Sequence, residues 1–496
     1  MIPLSRNVPP KASAMIETLR GLGYSTASAL ADLIDNSITA GATEIHIAFC
    51  WNGPASMITV LDNGRGMDDG ELERAMRLGE RSPLEPRGGN DLGRFGIGLK
   101  TASFSQCRRL TVATCKDGST HCLRWDLDVL AASTDGAWHL LEGPAPGSQS
   151  LLDHLRTTGT LAAWEVLDRI VTPGSTQQDF LDLIDRTEHH LAMVFHRYLQ
   201  GPDPRLRLTI NDRPVRPWDP FLTNHPATWS SPIERLANGT VEVQCHVLPH
   251  KDRLTIQEHE VATGPDGWTA QQGFYVYRNE RLLVAGNWLG LGQGKPWTKE
   301  EAHRLARIRL DIPNTADADW KIDIRKATAR PPISMRNRLT RLAEDTRARA
   351  RRVFAHRGQV VPVAGGPPVA TAWRAEHTRE GVRYRIDTTH PAVASVLADA
   401  GRLSPQVTTM LRIIEETIPV QRIWLDTVEQ KETPRTGFES ASADEVVRVL
   451  RVVYHNLINR KGLSAALARE QLLRTDPFHR YPDLVMTLPD DPGENQ

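Results

Sequence analysis

The stretch ALADLIDNSITAG, residues 29–41, decides the fold. At 100° per residue, Leu30, Leu33, Ile34 and Ile38 fall together on one side of a helix. Asp32, Asp35, Asn36 and Thr39 fall on the other. Asp32 and Asn36 are an i, i+4 pair, so their side chains project side by side. A polar face of this kind is either solvated or the wall of a site, and the residues that follow decide between the two.

Next comes TEIHIAFCW (43–51), alternating like a half-buried strand, and then SMITVLDNGRGM (56–67), a second strand ending in a glycine turn. DDGELERAMRLGE (68–80) reads as a short helix with Asp68 or Asp69 at its cap. A Gly/Pro-rich loop, RSPLEPRGGNDLG (81–93), precedes a helix at GLKTASFSQC (98–107). Strand-like runs follow in RRLTVATC (108–115), HCLRWDL (121–127) and GTLAAWEVLD (159–168). Adjacent strands with short connections predict an antiparallel or mixed sheet with helices on one face, and the class is α+β.

Two glycine-rich turns carry chemistry. In VLDNGRGMD (60–68), Gly64 and Gly66 let the backbone turn sharply and approach a flat ligand. Asp62 is acceptor-only when ionised, which suits an exocyclic amine such as that of adenine. A calcium loop with Asp62 first and Glu73 twelfth is excluded, because Gly64, Gly66 and Met67 stand where ligands and the turn glycine belong. In GRFGIGLK (93–100), Gly93, Gly96, Gly98 and then Lys100 enter a helix, a pattern that lets phosphate approach backbone N–H groups. The glycine order is neither that of a dinucleotide fold nor that of a Walker loop. GLGQGKP (290–296) is a loop, since Leu289 precedes it where a Walker glycine is needed and Pro296 replaces Ser/Thr.

Bulk properties narrow the class. The chain has 496 residues, enough for about three domains, with 40% apolar and 24% charged content. Formal net charge is zero, so no global field argues for nucleic acid or membrane. The start lacks a signal-peptide core, and no run of about 18 apolar residues occurs. Five cysteines without C-x-x-C spacing read as reduced, mostly buried thiols, so a cytoplasmic protein is expected.

After residue 172 the pattern changes. A second domain, 173–330, opens on the helical QQDFLDLIDRTEHHLAMVFHRYL and continues through strands RLRLTIN, GTVEVQCHVL, GFYVYRNERLLV and ARIRLDI. A basic helical segment at 331–357 follows; from Arg330 to Arg357 the chain holds nine arginines against Glu344 and Asp345. Residues 358–372 read as a linker and 373–496 as a mixed C-terminal domain of unassigned role. Its clearest element is a helix capped by Ser442 with Glu445, running to Gly462.

Polar helix, D-x-G-x-G and then G-x-x-G-x-G-L-K, in that order, resemble the GHKL ATPases, and look most like the MORC group and its bacterial MORC/MutL-like relatives. A fourth motif is matched by Gly159-Thr160. QGFYVYRNERLLV and DWKIDIRKATARPP are similar to the transducer domain that follows the ATPase domain in those families. The resemblance implies a GHKL-type α/β sandwich over 1–172, with ATP and Mg²⁺ as cofactors. Asn36 would then hold the metal, and Asp62 would read adenine beside Gly64, Gly66 and Met67. Gly93, Gly96, Gly98 and Lys100 would take phosphate, and Thr160 would back the adenine site. Residues 68–98 would form the lid, and Lys326 would reach the γ-phosphate.

Asp32 stands where most hydrolysing relatives carry the water-activating glutamate. Aspartate is shorter by one C–C bond, about 1.5 Å, which leaves three outcomes: a site rebuilt to suit, slow turnover, or ATP held as a structural switch. The function implied is nucleotide-gated homodimerisation acting on DNA or on a partner in a nucleic-acid process, with bacterial defence as one setting. The basic 331–357 segment would face phosphates. A non-hydrolysing ATP-dependent interaction module and a chaperone-like GHKL ATPase are the alternatives. A histidine kinase fits less well, since only about 25 residues precede the motif helix.

Overall fold

A computed structural model describes residues 11–21, 23–80, 98–155, 157–314, 319–322, 328–355, 370–378, 381–423, 438, 443–459 and 461–490. Gly93, Gly96, Lys326, Ser442 and most of the expected linker lie outside the described residues. The chain divides into two compact units, 1–359 and 360–496.

The first unit begins with an eight-stranded mixed sheet. Its strands are β1 (Glu44–Cys50), β2 (Met57–Asp62), β3 (Arg109–Lys116), β4 (Ser119–Asp126), β5 (Leu141–Glu142), β6 (Gly159–Glu165), β7 (Arg207–Ile210) and β8 (Arg213–Pro214). Their order is β5-β4-β3-β6-β2-β1-β7-β8. The β1–β7 pair is parallel, with Ile45 opposite Leu208, and the other neighbours are antiparallel. The sheet begun before residue 172 is therefore completed by strands at 207–214.

Along the same chain run α1 (Ala12–Arg20), α2 (Thr26–Thr39), α3 (Asp69–Met76), α4 (Gly98–Phe104), α5 (Leu127–Ala132), α6 (Gln177–Val194) and α7 (His196–Leu199). The run expected as one long helix from 177 breaks at Phe195. Apolar residues of α1, α2, α4 and α6, among them Ile16, Leu30, Ile34, Phe104 and Phe180, pack with Ile45, Ile47, Ile58 and Val60 of the sheet. Period-2 alternation in β2 puts Ile58, Val60 and Asp62 on this same buried side. α2 starts where Ser25 caps it, its hydroxyl accepting the Ser28 N–H at 3.2 Å.

Beyond Pro214 lie β9 (Trp229–Ser230), β10 (Glu234–Leu236), β11 (Val241–Val247), α8 (Ile256–Thr263), β12 (Gly273–Arg278), β13 (Arg281–Asn287), β14 (Ala306–Ile312) and α9 (Ile333–Ala355). The second sheet runs β10-β11-β14-β12-β13, with β9 beside β11. α9 holds the arginine-rich segment, and its Met335, Leu339, Ala343 and Ala350 bury against this sheet. Arg347 lies 4.8 Å over the rings of both Trp288 and Trp297, so part of the basic run is packed and not solvated.

The second unit pairs β15 (Trp373–Thr378) with β16 (Gly381–Ile386) and has a small core of Leu450, Tyr454, Leu457, Leu472 and Phe478. The expected C-terminal helix spans Ala443–Asn459. All five cysteines are free thiols; Cys107, Cys115 and Cys245 are buried, and Cys50 is exposed. No helix among the described residues is long and apolar enough to cross a membrane.

Candidate functional site

Asp62 ends β2 on the helix-facing side, where burial alone would drive its carboxyl toward the neutral form. Three donors oppose this: Ser37 Oγ at 2.7 Å, the Gly64 N–H at 2.9 Å and the Thr160 N–H at 3.2 Å. Burial prevails, and the pKa is raised against the pull of those bonds. Thr160 stands opposite Asp62 across β2–β6 and opposite Thr114 across β3–β6, so the three share one row of the sheet. Thr114 Oγ1 accepts the Met67 N–H at 2.9 Å and lies 3.0 Å from the Gly159 carbonyl.

The glycines of the turn are required by contact. Gly66 has φ +67°, and a Cβ there would overlap the Cys115 carbonyl oxygen. One at Gly64 would stand 3.0 Å from both Ala40 Cβ and Asp62 Oδ1. The turn lies flat against β3 and the end of α2 because it carries no side chains there.

The polar face of α2 is largely covered at its two aspartates. Asp32 and Asp35 are 5% and 1% exposed, and Asn36 is the exposed member of the three. Asp32 Oδ2 accepts the Tyr24 hydroxyl at 3.0 Å. A Cβ on Gly98 would come 3.5 Å from the same oxygen, so the start of α4 lies directly beside this carboxylate. Asp35 meets Arg281 Nε at 3.1 Å through both oxygens. Lys100 is buried and donates to the Ala75 carbonyl in the last turn of α3 at 2.9 Å. Burial pushes its ammonium down to about 8.

The structure thus brings Asp32, Asn36, Asp62, Gly64, Gly66, Met67, Gly98 and Thr160 around α2, the β2 turn and the start of α4. Lys100 belongs to the same helix but points to α3. Sequence reasoning missed Tyr24, Ser37, Thr114 and Arg281. Ser37 had a signal, since it follows Asn36 directly and 100° of turn carries it to the buried side; Arg281 had none.

Among the described residues no group of three or more His, Cys, Asp and Glu side chains could hold a metal ion. The exposed Asn36 amide would fit Mg²⁺ as one oxygen ligand, since Mg²⁺ keeps several waters and is held largely by substrate phosphates, not by an all-protein cage.

Residues 24–157 match the family model described as Histidine kinase-, DNA gyrase B-, and HSP90-like ATPase. This region is a GHKL ATPase domain. The DNA mismatch repair protein MutL of Rhodospirillum rubrum is 31% identical over 189 residues, 38% of this chain and 26% of that relative. ATPase morc-1 of Caenorhabditis elegans is 34% identical over 91 residues, 18% of this chain and 10% of the relative. MutL of Colwellia psychrerythraea is 27% identical over 279 residues, 52% of this chain and 37% of the relative. The chain spans well under half the length of each of these relatives, and its likeness to them is to MutL and MORC ATPases together.

Proposed function

We propose that the protein binds ATP with Mg²⁺ in the space bounded by α2, the β2 turn and the start of α4, and hydrolyses it slowly to ADP and phosphate. The observation that carries this reading is the burial of two carboxylates with separate duties on facing elements. Asp62 is fixed by three donors at the sheet end, and Asp32 lies beside Gly98 at the start of α4. Asp62 would accept the adenine amine, with Gly64, Gly66 and Met67 along the turn and Thr160 behind it. Asn36 would hold the metal, whose chemistry is to neutralise phosphate charge. Asp32 would orient and deprotonate the attacking water. Gly93, Gly96 and Gly98 would cradle phosphate, and Lys326 would reach the γ-phosphate. Lys100 would serve phosphate only after leaving the Ala75 carbonyl.

Nucleotide binding would bring two copies together, and the dimer would act on DNA or on a partner in a nucleic-acid process, with bacterial defence as one setting. The likeness to MutL, a DNA mismatch repair protein, supports the DNA part of this reading.

The test is direct. Purified protein with Mg²⁺ should bind ATP and release phosphate, and Asp32→Asn should stop release while sparing binding. Absence of binding in the unaltered protein would end the reading. A second reading, ATP held without hydrolysis, is favoured by one observation: an oxygen of Asp32 is already engaged by Tyr24. Steady-state phosphate release separates the two.

A further inference from the structure

Arg281 opens β13, in the hairpin it forms with β12, and lies 246 residues along the chain from Asp35. Its Nε donates to both oxygens of Asp35 at 3.1 Å, and its Nη1 donates to the Leu282 carbonyl at 2.8 Å. The two side chains are 5% and 1% exposed. The same hairpin is held at its tip, where the Tyr198 hydroxyl of α7 donates to the Asn279 carbonyl at 2.6 Å. The hairpin is tied to the first sheet's helices by a charged bond to α2 and by neutral bonds to α7, where His196 Nε2 also meets the Tyr277 hydroxyl at 2.8 Å.

A buried ion pair adds little net stability, because desolvation offsets most of the attraction. What it does impose is geometry. A guanidinium that slides off this carboxylate separates two opposite charges in a dry setting. Asp35 directly precedes Asn36 in α2 and lies three residues after Asp32, so a hairpin that shifts must move that turn of helix or break the pair.

We propose that Arg281 is a positioning residue, tying the β12–β13 hairpin to α2 so that nucleotide occupancy beside Asn36 and the placement of the second sheet are set together. This rests on the nucleotide reading of the site given above. Coupling of this kind runs both ways: whatever hairpin placement the nucleotide favours, that placement tightens the nucleotide.

The experiment uses the full chain with Mg²⁺ and a non-hydrolysable ATP analogue, reading analogue affinity and hydrogen exchange of α2 and of residues 273–287. In the unaltered protein the analogue should slow exchange in both places. In Arg281→Gln it should bind about tenfold more weakly, within the usual range of such couplings, and slow exchange in α2 alone. Arg281→Lys, which keeps the charge without the planar fork, should recover part of the hairpin protection; a purely structural loss would not be rescued selectively. Should Arg281→Gln melt, the double variant Asp35→Asn/Arg281→Gln carries the same test, since it removes both charges of the pair together.

Equal hairpin protection in the unaltered chain and in these variants would overturn the proposal. So would an analogue that binds the unaltered chain and leaves its hairpin exchange unchanged. Failure of the unaltered chain to bind the analogue at all is a different result, and it would remove the nucleotide reading together with this inference.

Discussion

Ser37 donates its hydroxyl to the Asp62 carboxylate at 2.7 Å, joining the buried side of α2 to the end of β2. The bond helps keep ionised a carboxylate that burial pushes toward neutrality. A protonated Asp62 would present an O–H where an adenine amine needs an acceptor.

The sign of the pH effect follows. Folding holds the Asp62 proton more tightly than the unfolded chain does, so this group's contribution to stability is full below its ordinary value of 3.8. That contribution is lost as pH rises through the raised pKa. Nucleotide affinity runs the other way and should fall as pH drops through the raised pKa. Ser37→Ala should move that fall to higher pH, because one of three donors is gone. Titration of analogue binding against pH, for both proteins, checks the direction; a shift to lower pH would contradict it.

Removing one partner of the Asp35–Arg281 pair should be far worse than removing both. Asp35→Asn leaves a guanidinium that is 5% exposed without its counter-charge, a loss on the order of 3–5 kcal/mol. The double variant Asp35→Asn/Arg281→Gln should recover a large part of it. Urea unfolding of the three variants gives the cycle, and additive losses would show that the two charges do not depend on each other.

Two glycines with similar positive φ should respond differently to alanine. Gly66 (φ +67°) faces the Cys115 carbonyl, whereas Gly79 (φ +75°) has nothing within 4 Å of a Cβ. Gly79→Ala should cost only about 1–2 kcal/mol of backbone strain. Gly66→Ala adds a clash that lifts the turn from β3, so analogue binding should fall with it. Calorimetric binding measured beside the melting temperature distinguishes the two losses.

Lys100 should make the fold more stable as pH rises. Its folded pKa is depressed from 10.5 to about 8, so its stabilising contribution is present above 10.5 and lost as pH falls through 8. The shift corresponds to about 3 kcal/mol between the two limits. Lys100→Met has no such dependence, so unaltered protein should gain on the variant between pH 8 and pH 10 in urea unfolding. A constant difference across that range would place the ammonium in water.

Much of the first domain was legible in local pattern. Leu30, Leu33 and Ile34 marked the buried side of α2 by their 100° spacing, and the alternation of TEIHIAFC marked β1. Gly64 and Gly66 marked a turn that must approach other backbone. Periodicity gives two faces, however, and does not say which one meets water. Asp32 and Asp35 fell on the polar side of α2 and are nonetheless buried, because Tyr24, Gly98 and Arg281 cover them. ARIRLDI was legible as a strand, but its alternation gives no sign that Arg307 is fully buried beside Tyr275. Partners far away in the chain leave no trace in a short window.

The parallel pairing of β1 with β7 has a practical consequence. A polypeptide ending at residue 172 would carry every residue assigned to the nucleotide site in 24–160, yet β1 would lose its neighbour at Arg207–Ile210. Its N–H and C=O groups from Glu44 to Ile47 would become an open rim, ready to recruit strands from other molecules. The excised fragment should therefore self-associate by sheet extension, and any dimer seen in it would say nothing about dimers formed by the whole chain. Cutting after Pro214 keeps that rim closed.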